Sequence, residues 1–140
     1  MGIRGKAYIA GAFEHPARRI TDKSMMQVHA ELVLGALADA GLTLQDVDGF
    51  FCGARAPGPN AGRVVTLSMA DYLGLKLKHM DSTETGGSSY VLHVGHAFEA
   101  IAAGKCHVAV VSLAGLTTMD RGALERTVSD APESSFEDVY

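Results

Sequence analysis

The 140-residue chain has only two cysteines, Cys52 and Cys106, far apart and in neither metal-ligand nor Cys-x-x-Cys spacing. That excludes a disulfide scaffold and a zinc-finger class, and it suits a reducing compartment. Basic clusters are equally scarce. None is denser than Arg18-Arg19 and the formal net charge is −4, so the chain has no polyanion-binding face and nucleic acid is not an expected partner. No apolar run approaches the ~20 residues of a membrane-spanning helix. Glu14 and His15 follow the amino terminus too closely to leave a signal-peptide core, and Lys6 stands where a myristoylation site needs Ser or Thr. Together these absences lead to the expectation of a cytoplasmic protein without a membrane span.

What is present reads as alternating strands and helices. Residues 6–13 form a short apolar run suited to a buried strand, and 15–23 a loop carrying proline and arginine. Ser24 with Gln27 makes a capping-box pattern for a helix that runs to Ala40 and is closed by Gly41. Its Met25, Val28, Leu32, Ala36 and Leu37 recur at helical spacing, which turns Glu31 and Asp39 outward. Residues 47–51 are a second strand, 52–60 a loop able to serve as a lid, 62–72 a second helix ending near Gly74, and 77–82 a third strand. A tight turn, Glu84-Thr85-Gly86-Gly87-Ser88, then leads into a helix over 88–103, with Val91, Val94, Ala97, Phe98 and Ile101 on one face and Gly104 closing it. A strand over 107–113 completes the order βαβαβαβ. Residues 114–140 are rich in charge and small polar side chains, and end without a cap or final element, in the manner of a loop subdomain cut short.

The strand-to-helix elbow is where α/β proteins mount chemistry. Backbone N–H groups of Gly87, Ser88 and Ser89 at a helix start suit a thioester oxygen or a phosphate, and glycine permits close approach, so Gly86, Gly87, Ser88 and Ser89 are the expected substrate-binding residues. Capping and anion-holding suit the two serines better than nucleophilic attack, because the elbow lacks the second glycine of Gly-x-Ser-x-Gly. Glu84 is the elbow's one carboxylate: in an apolar pocket its pKa would rise and it would act as general acid or base, and otherwise it pairs with a backbone N–H at the helix start. Cys52 opens a loop and is the candidate displaced nucleophile, against the alternative that it and Cys106 are small hydrophobes. Arg55 and Arg63 suit coenzyme A phosphates or simply solvate their loop. His93, His96 and Glu99 share a helix side without His-Glu-x-x-His spacing, which reads as a dimer-facing or half-exposed stripe and not as a metal site.

Several local matches carry a family resemblance. Ala40-Gly41-Leu42 with Val47-Asp48-Gly49, Pro59-Asn60-Ala61-Gly62-Arg63, and above all the run from Ala97 to Val111 (AFEAIAAGKCHVAVV) resemble the amino-terminal half of the thiolase superfamily. The resemblance covers 1–113 as a thiolase-like core, with 114–140 the start of a loop subdomain. It implies an α/β half-fold with a mixed, mostly parallel sheet covered by helices. Counting back from Gly104, the position of the thiolase nucleophile falls on Gly87, and no residue from Thr83 to Leu92 is cysteine. The family's glycine pair and acid after the last strand are likewise replaced, by Ser112, Leu113 and Gly115. The elbow looks closer to the cysteine-free, lipid-transfer-protein-like aldolases. That resemblance implies carbon–carbon bond cleavage or formation of retro-aldol type on a coenzyme A thioester in lipid or steroid catabolism, no tightly bound cofactor, a homodimer paired along the strand at 77–82, and a partner with an OB-fold and zinc ribbon. The alternatives are a non-catalytic acyl-CoA or lipid carrier or scaffold subunit, and an acetyl-CoA acetyltransferase-type enzyme.

Overall fold

The computed structural model describes residues 4–17, 20, 22–53, 65–83 and 85–114. Their elements run α1 (Met25–Asp39), a 3-10 turn (Leu44–Asp46), β1 (Gly49–Cys52), α2 (Val65–Leu73), β2 (His79–Asp81), α3 (Ser89–Ala102) and β3 (Ala109–Ser112). The three strands form one parallel sheet in the order β2-β1-β3. Three of the four expected strands and all three helices are present, in an α/β arrangement.

Helix α1 begins as its sequence dictates. Ser24 Oγ accepts from the Gln27 N–H at 3.2 Å, and Gln27 Oε1 accepts from the Ser24 N–H at 2.8 Å, a reciprocal cap that satisfies two otherwise orphaned donors. Its end is a left-handed turn at Gly41 (φ +69°), where the Leu42 N–H reaches back to the Leu37 carbonyl at 2.8 Å. The face it buries is shifted from the expected one: Val28, His29, Val33 and Leu37 are buried. Glu31 is drawn into a cluster, accepting from Lys23 Nζ at 2.7 Å and lying 2.9 Å from His15 Nε2.

Every residue of β1 is buried, because the strand is central and covered on both faces. Phe50 points into a core built with Val33 and Leu37 of α1, Met69 of α2 and Val110 of β3. Phe51 points the other way, into a cluster with Ala97 and Ala100 of α3 and with Cys106. Alternation along one short strand therefore places α1 and α2 on one face and α3 on the other. Burying two such rings fully contributes several kcal/mol, at ~1.5–3 kcal/mol for each large apolar side chain.

Residues 6–13 do not form the expected strand. Gly11 packs on the α1 backbone so closely that a Cβ there would lie 2.5 Å from the Ala36 carbonyl oxygen, and the Phe13 ring covers Gly35. The Ala12 N–H donates to Asp39 Oδ2 at 2.9 Å. Gripped by α1, the segment stands off from β3, and a cavity of about 740 Å³ separates the two. Apolar composition alone could not distinguish a segment pinned to a helix from one paired in a sheet.

Helix α3 is apolar around most of its circumference, which makes its buried side hard to phase from sequence. Ser89, His93, Ala97 and Ala100 face the protein, while Val91 is 75% exposed. The expected stripe through Val91 and Val94 is thus rotated toward two polar side chains. The reason lies in what those side chains bind at the elbow.

Candidate functional site

The elbow joins the carboxyl end of β2 to the start of α3, and its polar side chains are spent on its own backbone. Ser89 Oγ, fully buried, accepts from the Thr85 N–H at 2.7 Å and donates to the Gly86 carbonyl at 2.7 Å. Ser88 Oγ donates to the Thr85 carbonyl at 3.0 Å and makes no cap bond to the helix. The Ser89 N–H is also committed, to the Gly86 carbonyl at 3.1 Å. Of the three N–H groups expected to meet a ligand, that of Ser89 is therefore taken up by the elbow itself, and Gly87 is joined to Thr85 by an isolated backbone bridge. Gly86 adopts φ +70°, which an L side chain resists, and Gly87 has open space where a Cβ would stand.

Two histidines of α3 hold the elbow from below. His93, fully buried, accepts the Thr83 N–H at its Nε2, 2.9 Å away, which makes that nitrogen the unprotonated one. Its ring meets Tyr90 edge-on with centroids 6.1 Å apart and lies 6.4 Å from Phe51. His96 Nδ1 lies 2.6 Å from Asp81 Oδ2, joining α3 to the end of β2. His93 is thus turned inward, away from the half-exposed stripe expected of it, whereas His96 is half-exposed and Glu99 exposed. The Tyr90 hydroxyl donates to the Gly53 carbonyl, tying the end of β1 to the same helix. Gly53 itself is wedged into the elbow, where a Cβ would sit 3.0 Å from His93 Cε1 and 3.1 Å from the Thr83 carbonyl oxygen.

Neither cysteine is placed as a nucleophile. Cys52 is fully buried at the end of β1, and burial pushes its thiol up to about 11 despite a hydrogen bond with Ser112. Cys106 is buried against Gly49, and its thiol is raised by burial and by the nearby negative charge of Asp48. A thiolate is the reactive form, so both behave as small hydrophobes. Beside Cys52, Ser112 Oγ lies 3.0 Å from Nδ1 of the buried His29, whose Nε2 has no partner among the described residues. Burial drives the His29 pKa down to about 4, keeping the ring neutral. Glu84, Arg55 and Arg63 lie outside the described residues, as does 115–140.

Sequence reasoning located the elbow and its glycines but missed Gly53, Tyr90 and the Asp81–His96 pair. Gly53 directly follows an apolar strand, a visible sign of close backbone approach. The pairing of Asp81 with His96 spans fifteen positions and leaves no local pattern.

Neither a protein-family model nor a curated protein matches the chain. Among solved structures it is similar to an "Ltp2-ChsH2(DUF35) aldolase", with a TM-score of 0.60 and 24% identity. The alignment covers 85% of this chain and 28% of that one, so this chain spans less than a third of its neighbour's length. The likeness shows a shared fold.

Proposed function

We propose that this chain is the amino-terminal part of a thiolase-like protein that cleaves or forms a carbon–carbon bond on a coenzyme A thioester, without a nucleophilic cysteine. The observation carrying this reading is the elbow: a glycine turn at Gly86-Gly87 leading into the start of α3, with open space at Gly87 where a thiol would stand. Its likeness in fold to a chain described as an aldolase supports the same direction.

In a retro-aldol step, a base takes the proton of a β-hydroxyl and the Cα–Cβ bond breaks. The hydroxyl carbon becomes an aldehyde or ketone, and the bonding pair passes into the thioester as an enolate. The N–H groups of Gly87 and Ser88 would hold the enolate oxygen, stabilising charge where it develops. Protonation at Cα then releases the shortened acyl thioester. Glu84 on the elbow, or groups elsewhere in the whole protein, would carry the proton, and Arg55 and Arg63 would meet the phosphates of coenzyme A. Pairing of two copies along β2, and a partner with an OB-fold and zinc ribbon, belong to the same reading. The buried thiols weigh against Cys52 or Cys106 as nucleophile, so an acetyltransferase-type mechanism would need a thiolate supplied elsewhere in the whole protein.

The test is turnover of β-hydroxyacyl-CoA and β-ketoacyl-CoA thioesters, with carbonyl release followed separately from CoA-dependent thiolysis. Carbonyl release that persists in Cys52→Ala and Cys106→Ala is the expected result. Thiolysis abolished by Cys52→Ala would overturn the cysteine-free reading, and tight acyl-CoA binding without turnover would replace it with a carrier.

A further inference from the structure

Past its last paired residue, Asp81, strand β2 gives way to a short stem that carries Thr83 and Thr85 into the elbow. Two side chains of α3 take over where the sheet ladder stops. His93 Nε2 accepts from the Thr83 N–H at 2.9 Å, and Ser89 Oγ accepts from the Thr85 N–H at 2.7 Å. Residues four apart on a helix stand ~6 Å apart along its axis, and extended chain covers ~6.6 Å in two residues. The two spacings match, and the pairing is antiparallel, because the earlier stem residue meets the later helix residue. The stem is therefore gripped at two points, which fixes its direction as well as its distance from α3. A single contact would leave it free to pivot. Histidine reaches farther from the helix than serine, so the stem diverges from α3 toward β2.

The His93 ring has little freedom to leave its place. It is fully buried, with centroid distances of 6.4 Å to Phe51, 6.1 Å to Tyr90 and 6.3 Å to His96, and a Cβ on Gly53 would stand 3.0 Å from its Cε1. His96 is itself held, its Nδ1 2.6 Å from Asp81 Oδ2. An aliphatic side chain would fill such a site without desolvating a polar ring. What the imidazole adds is an acceptor, at a reach that no aliphatic residue offers. Stability alone is a weak reason for it, since a backbone hydrogen bond adds only modestly to the net balance. Geometry is a stronger one, because a group that meets developing charge has to be held within ~0.5 Å of its productive position.

We propose that His93 is a positioning residue of the elbow: with Ser89 it sets the direction in which Gly87 and Ser88 are presented, so that its acceptor matters more to turnover than to stability. The proposal rests on the aldol reading for what the elbow does, and on the two-point grip for how it is held.

A thiol reporter in the full-length gene product tests it. Gly87→Cys places a sulfur at the helix start, where the rate of alkylation by iodoacetamide reports how the elbow is aimed, whatever the substrate. Adding His93→Leu, which keeps the bulk and removes the acceptor, is expected to slow alkylation about 5-fold at pH 7. Adding His93→Gln instead, whose carbonyl oxygen has a similar reach, is expected to restore the rate to within about twofold. Unchanged alkylation with the leucine, or equal slowing with both, would overturn the proposal, as would a reporter no faster than Cys52 at the outset. Where the leucine variant does not fold, Ser89→Ala removes the other point of the grip and carries the same expectation and the same refutation. With Gly87 intact, His93→Leu should lower kcat for carbonyl release from β-hydroxyacyl-CoA thioesters about 10-fold, at a KM within about threefold of wild type. A loss no larger than the fall in folded fraction, read from the unfolding midpoint, overturns the proposal. Wild-type protein that cleaves none of those thioesters would defeat the aldol reading alone and leave the thiol reporter to decide this one.

Discussion

Asp48 precedes β1 and ties together the approaches to all three strands. Its Oδ1 accepts from the N–H groups of His107 at 2.7 Å and Val108 at 2.9 Å, and its Oδ2 from the His107 ring and Lys78 Nζ, each at 3.1 Å. Burial alone would raise its pKa, but those donors, the two backbone N–H groups foremost, hold it well below the ordinary 3.8. A depressed carboxylate contributes stability above its unfolded pKa and loses it as pH falls toward the folded one. Asp48→Asn is expected to cost about 2 kcal/mol at neutral pH, by loss of charge-assisted bonds. Chemical denaturation below pH ~4 should show the wild type converging on the variant. His29 has the same sign for a different reason: its ring is neutral when folded and protonates readily when unfolded. Wild-type stability should therefore fall as pH drops from 6.5 to about 4. His29→Asn should flatten that slope, which is worth at most about 3 kcal/mol.

At the scale of elements, the elbow stands on three supports: the Ser89 hydroxyl within it, His93 beneath it and Gly53 beside it. Gly53→Ala should force the elbow or the end of β1 to shift, lowering stability by about 1–3 kcal/mol. Amide shifts at Thr83 and Ser89 would register the displacement, and unchanged shifts would mean the wedge is looser than its geometry. Gly87 behaves oppositely. With no positive φ and open space at its Cβ position, Gly87→Cys should fold unperturbed. At a helix amino terminus its thiol should titrate below the ordinary ~8.5 and react with iodoacetamide faster than Cys52 or Cys106. A thiol there that is sluggish would move the nucleophile-equivalent position off Gly87.

For the molecule as a whole, the two sheet edges differ in what they ask for. The outer edge of β3 faces the cavity of about 740 Å³. The outer edge of β2 carries Met80, 38% exposed, and an open edge is managed by pairing, covering or charging. If two copies pair along β2, Met80→Lys should place like charges near the axis and shift sedimentation toward the monomer. An unchanged sedimentation coefficient would remove β2 from the interface.

Much of this was legible without coordinates. The capping box at Ser24, the stops at Gly41 and Gly104, three of the strands and the glycine elbow all follow from local chemistry, because caps, turns and periodicity are decided within a few residues. Contacts between distant segments were not legible. Whether residues 6–13 enter the sheet depended on Gly11 and Gly35 meeting other backbone and ring atoms, and the phase of α3 depended on His93 finding the Thr83 N–H across the elbow. The inertness of Cys52 came from complete burial, which composition does not report. The sequence by itself determined the order of elements and where the chain turns. Only the tertiary structure decided which face each element buries and which polar groups stay uncommitted, because those depend on partners that the chain brings together from far apart.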